Sequence, residues 1–151
     1  MKVFIAADHL GIEVKHNLIK YLESNGINAL EIGISNKELD DYPDFAFKLG
    51  ELVNENNGSL GILICGNGIG MSIAANKVKG IRCARVVNSD DAFKARNHNG
   101  ANVIAVGANL DFETLKEIVD TFISTKSADI ERYLKRINKI INYENGEYNE
   151  L

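Results

Sequence analysis

Only two cysteines, Cys65 and Cys83, occur in the 151 residues. They are too few for a disulfide framework, and their spacing fits no zinc module, so both are expected to be reduced thiols. Apolar runs are short, none approaching the roughly 18 residues that would cross a bilayer. Positive charge is also scarce: the formal net charge is −4 and the pI near 5.4, which gives no electrostatic reason to expect nucleic acid or an anionic membrane as a partner. The start, "MKVFIAADHLG", runs from Met1 into a brief apolar stretch and an Asp-His pair, without the longer apolar segment and cleavage site of a signal peptide. The expected location is the cytoplasm. Repeats, low-complexity tracts and linkers are missing, which leaves one domain over residues 1–151, with 143–151 as a polar C-terminal tail.

What is present is 45% apolar and 25% charged residues, the profile of a globular domain with a real core. Apolar or β-branched runs recur at 3–7, 29–33, 60–65, 81–87 and 102–107. Most are nearly continuous in hydrophobicity, as in parallel strands covered on both faces. Between them lie segments of helical spacing, including Val14, Leu18, Tyr21 and Leu22, then Phe112, Leu115, Ile118, Val119 and Phe122. Ser89, Asp90 or Asp91 is placed to cap the helix that ends near His98, and Asp111 the next. A last helix carries Ile130, Tyr133, Leu134, Ile137, Ile140 and Ile141 on one face. Alternating strands and helices with right-handed crossovers predict an α/β class fold, a single-domain Rossmann-like α/β/α sandwich on a five-stranded parallel sheet. Ligands of such sheets sit at the carboxyl ends of the strands. Asp8 and His9, the glycine loop after the third strand, Asn88 and Gly107 fall at those ends.

The loop reads "CGNGIGMSIAANK", with Gly66, Gly68 and Gly70 between a strand and a helix start. Backbone N–H groups of such a loop can converge on negative charge. Met71 stands where a dinucleotide-binding fingerprint needs its third glycine, and the Gly-Lys-Ser/Thr of a P-loop is missing. The anion can therefore be an oxyanion developing on a substrate; a tight turn beside a structural cysteine is the plainer account. Cys65, at a strand end beside oriented N–H groups, has its thiolate favoured and is a candidate base or nucleophile. Cys83 lies within the fourth strand as a small core residue. His98 is a candidate acid or base, or simply a partner for the helix dipole. His16 is expected on a helix surface. Arg132 and Arg136, four apart, suit a phosphate or carboxylate, or form a solvated basic face. Tyr42, beside the only proline in "DDYPDFA", offers a phenol or closes the core.

Read together, "AADHLG", "DYPD", "CGNGIGMSIAANK", "GIRCA", "HNGANVIAVG" and the paired arginines resemble, in order and spacing, ribose-5-phosphate isomerase type B, in the group that includes the galactose-6-phosphate isomerase subunits. The resemblance runs from Lys2 to about Ile140. It implies interconversion of phosphorylated aldoses and ketoses through an enediolate, with no metal or organic cofactor, as in the pentose phosphate pathway. It implies Cys65 as the base, His98 in ring opening, and the amides of residues 66–70, Ile69 included, as holders of the enediolate oxygen, with Asn67 among the catalytic positions. Asp8 and Tyr42 would contact the sugar, Asn99 its reacting end, and His9, Arg132 and Arg136 the phosphate. A homodimer is implied, or a tetramer of two, with the site between subunits and the His-Asn pair given by the partner. There are three departures from the pattern. Asn67 replaces a threonine or serine, Asn109 an arginine, and Ile130-Glu131-Arg132-Tyr133 the usual Gly-Gly-Arg-His. A hexose 6-phosphate such as allose or galactose 6-phosphate is the alternative substrate. A non-catalytic nucleotide or sugar-phosphate binding module is the alternative class.

Overall fold

Side chains alternate along each strand, so even an unbroken apolar run feeds two separate cores. In the computed structural model, which describes residues 1–35 and 40–148, β3 (Leu60–Cys65) sends Ile62 and Ile64 to one face and Leu63 and Cys65 to the other. On the first face, β1 (Lys2–Ala7), β3 and β5 (Val103–Gly107) meet α1 (Ile12–Ser24), α4 (Ser89–Asn99) and α5 (Phe112–Ser124) through Leu18, Ala95, Ile118 and Phe122. On the second, α2 (Tyr42–Glu55) and α3 (Ile69–Ala75) cover the sheet through Leu49, Val53, Met71 and Ala75. The remaining elements are β2 (Asn28–Glu31), β4 (Cys83–Arg85) and α6 (Glu131–Glu144).

The five strands are all parallel in the order β2-β1-β3-β5-β4. That is the expected α/β sandwich, with β3 at its centre. Two strands are shorter than their apolar runs. β2 stops at Glu31 and the chain turns at Gly33, whose φ of +73° is left-handed. β4 covers only 83–85 because it is an edge strand; Ile81 instead enters the second core, and the N–H of Arg82 is taken by the Asn102 side chain. Asn88, not Ser89 or the aspartates, caps α4 by accepting from the Asp91 N–H at 2.8 Å. Asp111 caps α5 as its position predicted, accepting from the Thr114 N–H at 2.9 Å.

Asn76 explains part of the "IAANK" motif. Its amide donates to the Cys83 carbonyl and accepts from the Cys83 N–H, each at 2.8 Å, fastening the end of α3 to edge strand β4. α6 is attached more lightly. Of its apolar face only Ile137 is buried, while Ile130, Leu134, Ile140 and Tyr143 remain exposed. The helix occupies the first two residues of the expected polar tail, and residues 149–151 lie outside the described part. Among the described residues, no helix is long and apolar enough to cross a membrane.

Candidate active site

Cys65 is the last residue of β3, at the carboxyl edge of the sheet, and is 5% exposed. Its Sγ accepts the Gly68 N–H at 3.2 Å, so a loop amide is aimed at the sulfur. Gly68 holds φ +76°, the left-handed region, and a Cβ there would stand 3.0 Å from the Ala105 carbonyl oxygen. The other two glycines are seats for neighbours. A Cβ on Gly66 would lie 3.0 Å from Leu10 Cδ1, and one on Gly70 2.7 Å from Tyr42 Cζ. The bare backbone thus lets β5, Leu10 and the Tyr42 ring close in on the loop that follows the thiol. Tyr42, first residue of α2 and 40% exposed, is brought onto the loop in this way.

Asn67 is occupied within the loop. Its Oδ1 accepts the Ile69 N–H at 3.0 Å, and its carbonyl accepts from Arg85 Nε at 2.8 Å. Arg85 was not legible as a site residue, because it reaches the loop from the far edge strand; its one sequence signal, a charge within the 81–87 run, is shared with Arg82. Asn109 folds back over Gly107, where any Cβ would overlap its Oδ1.

Asp8 follows β1 on the other side of β3. It is 5% exposed, and its Oδ1 accepts the Leu10 N–H at 3.0 Å. Burial pushes its carboxyl above the usual range, against the opposing pull of that N–H and of His9. His9 lines a groove with Leu10, Ile12, Glu13 and His16 on α1. His16 lies on the helix surface, as its place predicted, 3.4 Å from Glu31. Burial pushes the Cys83 thiol up to about 12, which disfavours its thiolate.

The remaining predicted residues form a second cluster. α4 starts at the carboxyl edge of the sheet and returns to the amino edge, so His98 and Asn99 finish at the opposite end from Cys65. The Asn102 carbonyl, three residues past Asn99, accepts from Gly61 near the start of β3. From there Cys65 is four residues away, about 13 Å at a strand rise of about 3.3 Å. Arg82 holds this corner, its Nε on the Asn99 carbonyl at 3.1 Å and its Nη2 on that of Gly100 at 2.8 Å. The His98 ring stacks on Tyr133 of α6, centroids 4.5 Å apart and planes at 27°. Arg132 Nη2 donates to the Tyr133 hydroxyl at 2.8 Å, and Arg136 follows one turn along α6. Within one chain the expected site residues therefore fall into two groups, the thiol, loop, Asp8, His9 and Tyr42 at one end of the sheet and His98, Asn99, Arg132 and Arg136 at the other. Among the described residues, no three His, Cys, Asp or Glu side chains gather as metal ligands.

Comparison with known proteins finds similarity over nearly the whole chain. Residues 3–140 match the Ribose/Galactose Isomerase family. A probable ribose-5-phosphate isomerase B of Mycoplasma pneumoniae is 44% identical over 145 residues, covering 94% of each chain. The ribose-5-phosphate isomerase B of Mycobacterium leprae is 36% identical over 148 residues, covering 95% of this chain and 90% of the relative. A crystal structure of ribose-5-phosphate isomerase B from Mycoplasma genitalium with bound ribulose-5-phosphate superposes with a TM-score of 0.89 at 39% identity, covering 95% of this chain and 96% of that one.

Proposed function

The chain belongs to the ribose/galactose isomerase family, and we propose that it interconverts ribose 5-phosphate and ribulose 5-phosphate at a site completed by a second copy of itself. The observation that carries this is the Cys65 thiol at the centre of the carboxyl edge, with the Gly68 N–H aimed at its sulfur. The thiolate removes the proton from C2 of the open aldose, and the electrons flow into the C1 carbonyl to give an enediolate. The loop amides hold the developing oxyanion in a water-poor site. The proton on sulfur returns to C1 while the C2 hydroxyl proton passes to the oxygen on C1, leaving the ketose with a C2 carbonyl and a C1 hydroxyl. Nothing is gained or lost overall, so the step consumes no oxidant or reductant.

His98 and Asn99 of the second copy stand over the ring oxygen and the reacting carbons, with His98 moving the proton that opens the ring. Asp8 and Tyr42 contact the sugar hydroxyls. His9 of one copy and Arg132 and Arg136 of the other take the phosphate, whose binding holds the reacting carbons against the thiol. The exposed apolar side chains Leu10, Ile69, Ile73 and Val87 near the loop, together with the open face of α6, support a homodimer. A tetramer of two dimers, a cytoplasmic location and a place in pentose phosphate metabolism accompany this reading.

The test is turnover by the purified chain in chelator-treated buffer, with ribose 5-phosphate, allose 6-phosphate and galactose 6-phosphate side by side. Pentose turnover that vanishes in Cys65→Ala, with sugar phosphate still bound, is the expected result. Turnover of a hexose phosphate alone moves the substrate. Tight binding without turnover of any of them leaves the non-catalytic alternative.

A further inference from the structure

A histidine one residue from a helix end, and an arginine on the exposed face of another helix, each lose conformational freedom when they engage a substrate. An arginine side chain carries about 2 kcal/mol of rotamer entropy, and any of it removed beforehand improves binding. In this chain one residue limits both. The Tyr133 ring lies against the His98 imidazole, 4.5 Å between centroids and 27° from parallel, while Phe93 meets the same imidazole edge-on at 6.1 Å. The Tyr133 hydroxyl accepts from Arg132 Nη2 at 2.8 Å, and the Arg132 guanidinium sits 4.8 Å from the ring centroid. The imidazole is thus held between two aromatic rings, and the guanidinium is folded onto one of them. Asn97 of α4 donates to the Lys126 carbonyl at 3.0 Å and its own carbonyl accepts the Ala128 N–H at 2.9 Å, both in the segment that leads into α6, and Ile137 of α6 packs near Gly100.

We propose that Tyr133 is a positioning residue, fixing the His98 imidazole through its ring and the Arg132 guanidinium through its hydroxyl, so that the half-site given to the second copy is prearranged as one unit. This rests on the isomerase reading above. The two functions of Tyr133 are separable. Removing the hydroxyl frees Arg132 and weakens phosphate binding; removing the ring also frees His98 and slows the proton transfers it serves.

The experiment measures kcat and KM for ribose 5-phosphate in Tyr133→Phe, Tyr133→His and Tyr133→Leu, with thermal melts. It adds the NMR chemical shift of the His98 ring protons, which senses a stacked ring whether or not the protein turns over. Tyr133→Phe is expected to raise KM about three- to tenfold with kcat within about twofold, the size of one lost charge-assisted hydrogen bond. Tyr133→Leu is expected to raise KM similarly and also lower kcat about tenfold. Tyr133→His, which keeps an aromatic ring, restores most of kcat. The His98 shift collapses in Tyr133→Leu and persists in Tyr133→Phe. Equal kcat in all four proteins, or an unchanged His98 shift in Tyr133→Leu, overturns the proposal. A wild type silent on ribose 5-phosphate whose His98 shift still follows Tyr133 sinks the isomerase reading and leaves the positioning contact standing.

Discussion

Replacing Gly70 by alanine sets helix propensity against the placement of a side chain. The new Cβ would stand 2.7 Å from Tyr42 Cζ, 2.8 Å from Cε2 and 3.1 Å from Cε1. Carbon atoms in contact rest about 3.5 to 4.0 Å apart, so the ring must retreat by roughly 1 Å. It has room to do so, being 40% exposed and attached by a flexible side chain. Gly70 is helical and its φ is not left-handed, so alanine gains about 1 kcal/mol of helix propensity. Lost contact between the ring and the loop costs a similar amount, about 1 kcal/mol. Global stability therefore stays within about 1 kcal/mol of wild type. Activity does not on the proposed role of Tyr42, because displacing a group that contacts the substrate by about 1 Å costs up to about 100-fold. The expected fall in kcat/KM is about ten- to hundredfold. A double-mutant cycle with Tyr42→Ala isolates the cause: in that background Gly70→Ala should add almost nothing. The same large loss in both backgrounds, or no loss from Gly70→Ala alone, would refute the assignment of Tyr42 to the site.

At Gly68 an alanine has no such escape, since φ +76° is strained for any L side chain and the new Cβ meets the backbone of Ala105. A loss of about 2 kcal/mol or more in urea unfolding is expected, together with loss of turnover; a variant of native stability would show that the loop is not held against β5. Lys15, its side chain buried, pairs with Glu31 at 2.6 Å, and that contact first of all holds the Glu31 carboxyl below its usual value. The pair's contribution is therefore present above about pH 4.5 and lost as pH falls through the lowered value. Glu31→Ala should cost about 1 to 2 kcal/mol at neutral pH, discounted because Glu31 is partly in water, and should flatten the acid limb of stability against pH; an unchanged limb contradicts it. Asp8 runs the opposite way. Its carboxyl is raised by burial, so the folded protein holds the proton more tightly and stability declines as pH rises above 3.8 through that window. Asp8→Asn should remove this slope in urea titrations and abolish turnover; a slope identical to wild type would show that Asp8 is not desolvated.

The order of elements and the sheet were legible because parallel strands buried on both faces leave unbroken apolar runs, as at 60–65. The same continuity hid which face each side chain takes, so that Cys65 faces α2 and α3 only emerges from the fold. Cys65, Asp8 and His9 could be placed from sequence because Cys65 ends a strand and Asp8 and His9 directly follow one. The separation of His98 from Cys65 was also implicit, since a helix leaving the carboxyl edge must come back to the amino edge before β5. The family resemblance implies that the partner gives the His-Asn pair, and the distance between His98 and Cys65 within one chain supports that proposal. Arg85 and Tyr133 were not legible as site residues, because their contacts cross from an edge strand and from a lightly attached helix. Nor was Asn76, whose two bonds to Cys83 depend on where α3 stops.

Subunit complementation tests most directly the claim that two copies complete each site. Cys65→Ala and His98→Ala, each inactive alone, are mixed in equal amounts, dissociated and reassembled. Half of the dimers are then mixed, and in each of these one site carries both substitutions while the other carries neither. Recovery of about a quarter of wild-type turnover of ribose 5-phosphate is the predicted result. Mixed dimers that form and stay inactive would contradict the account.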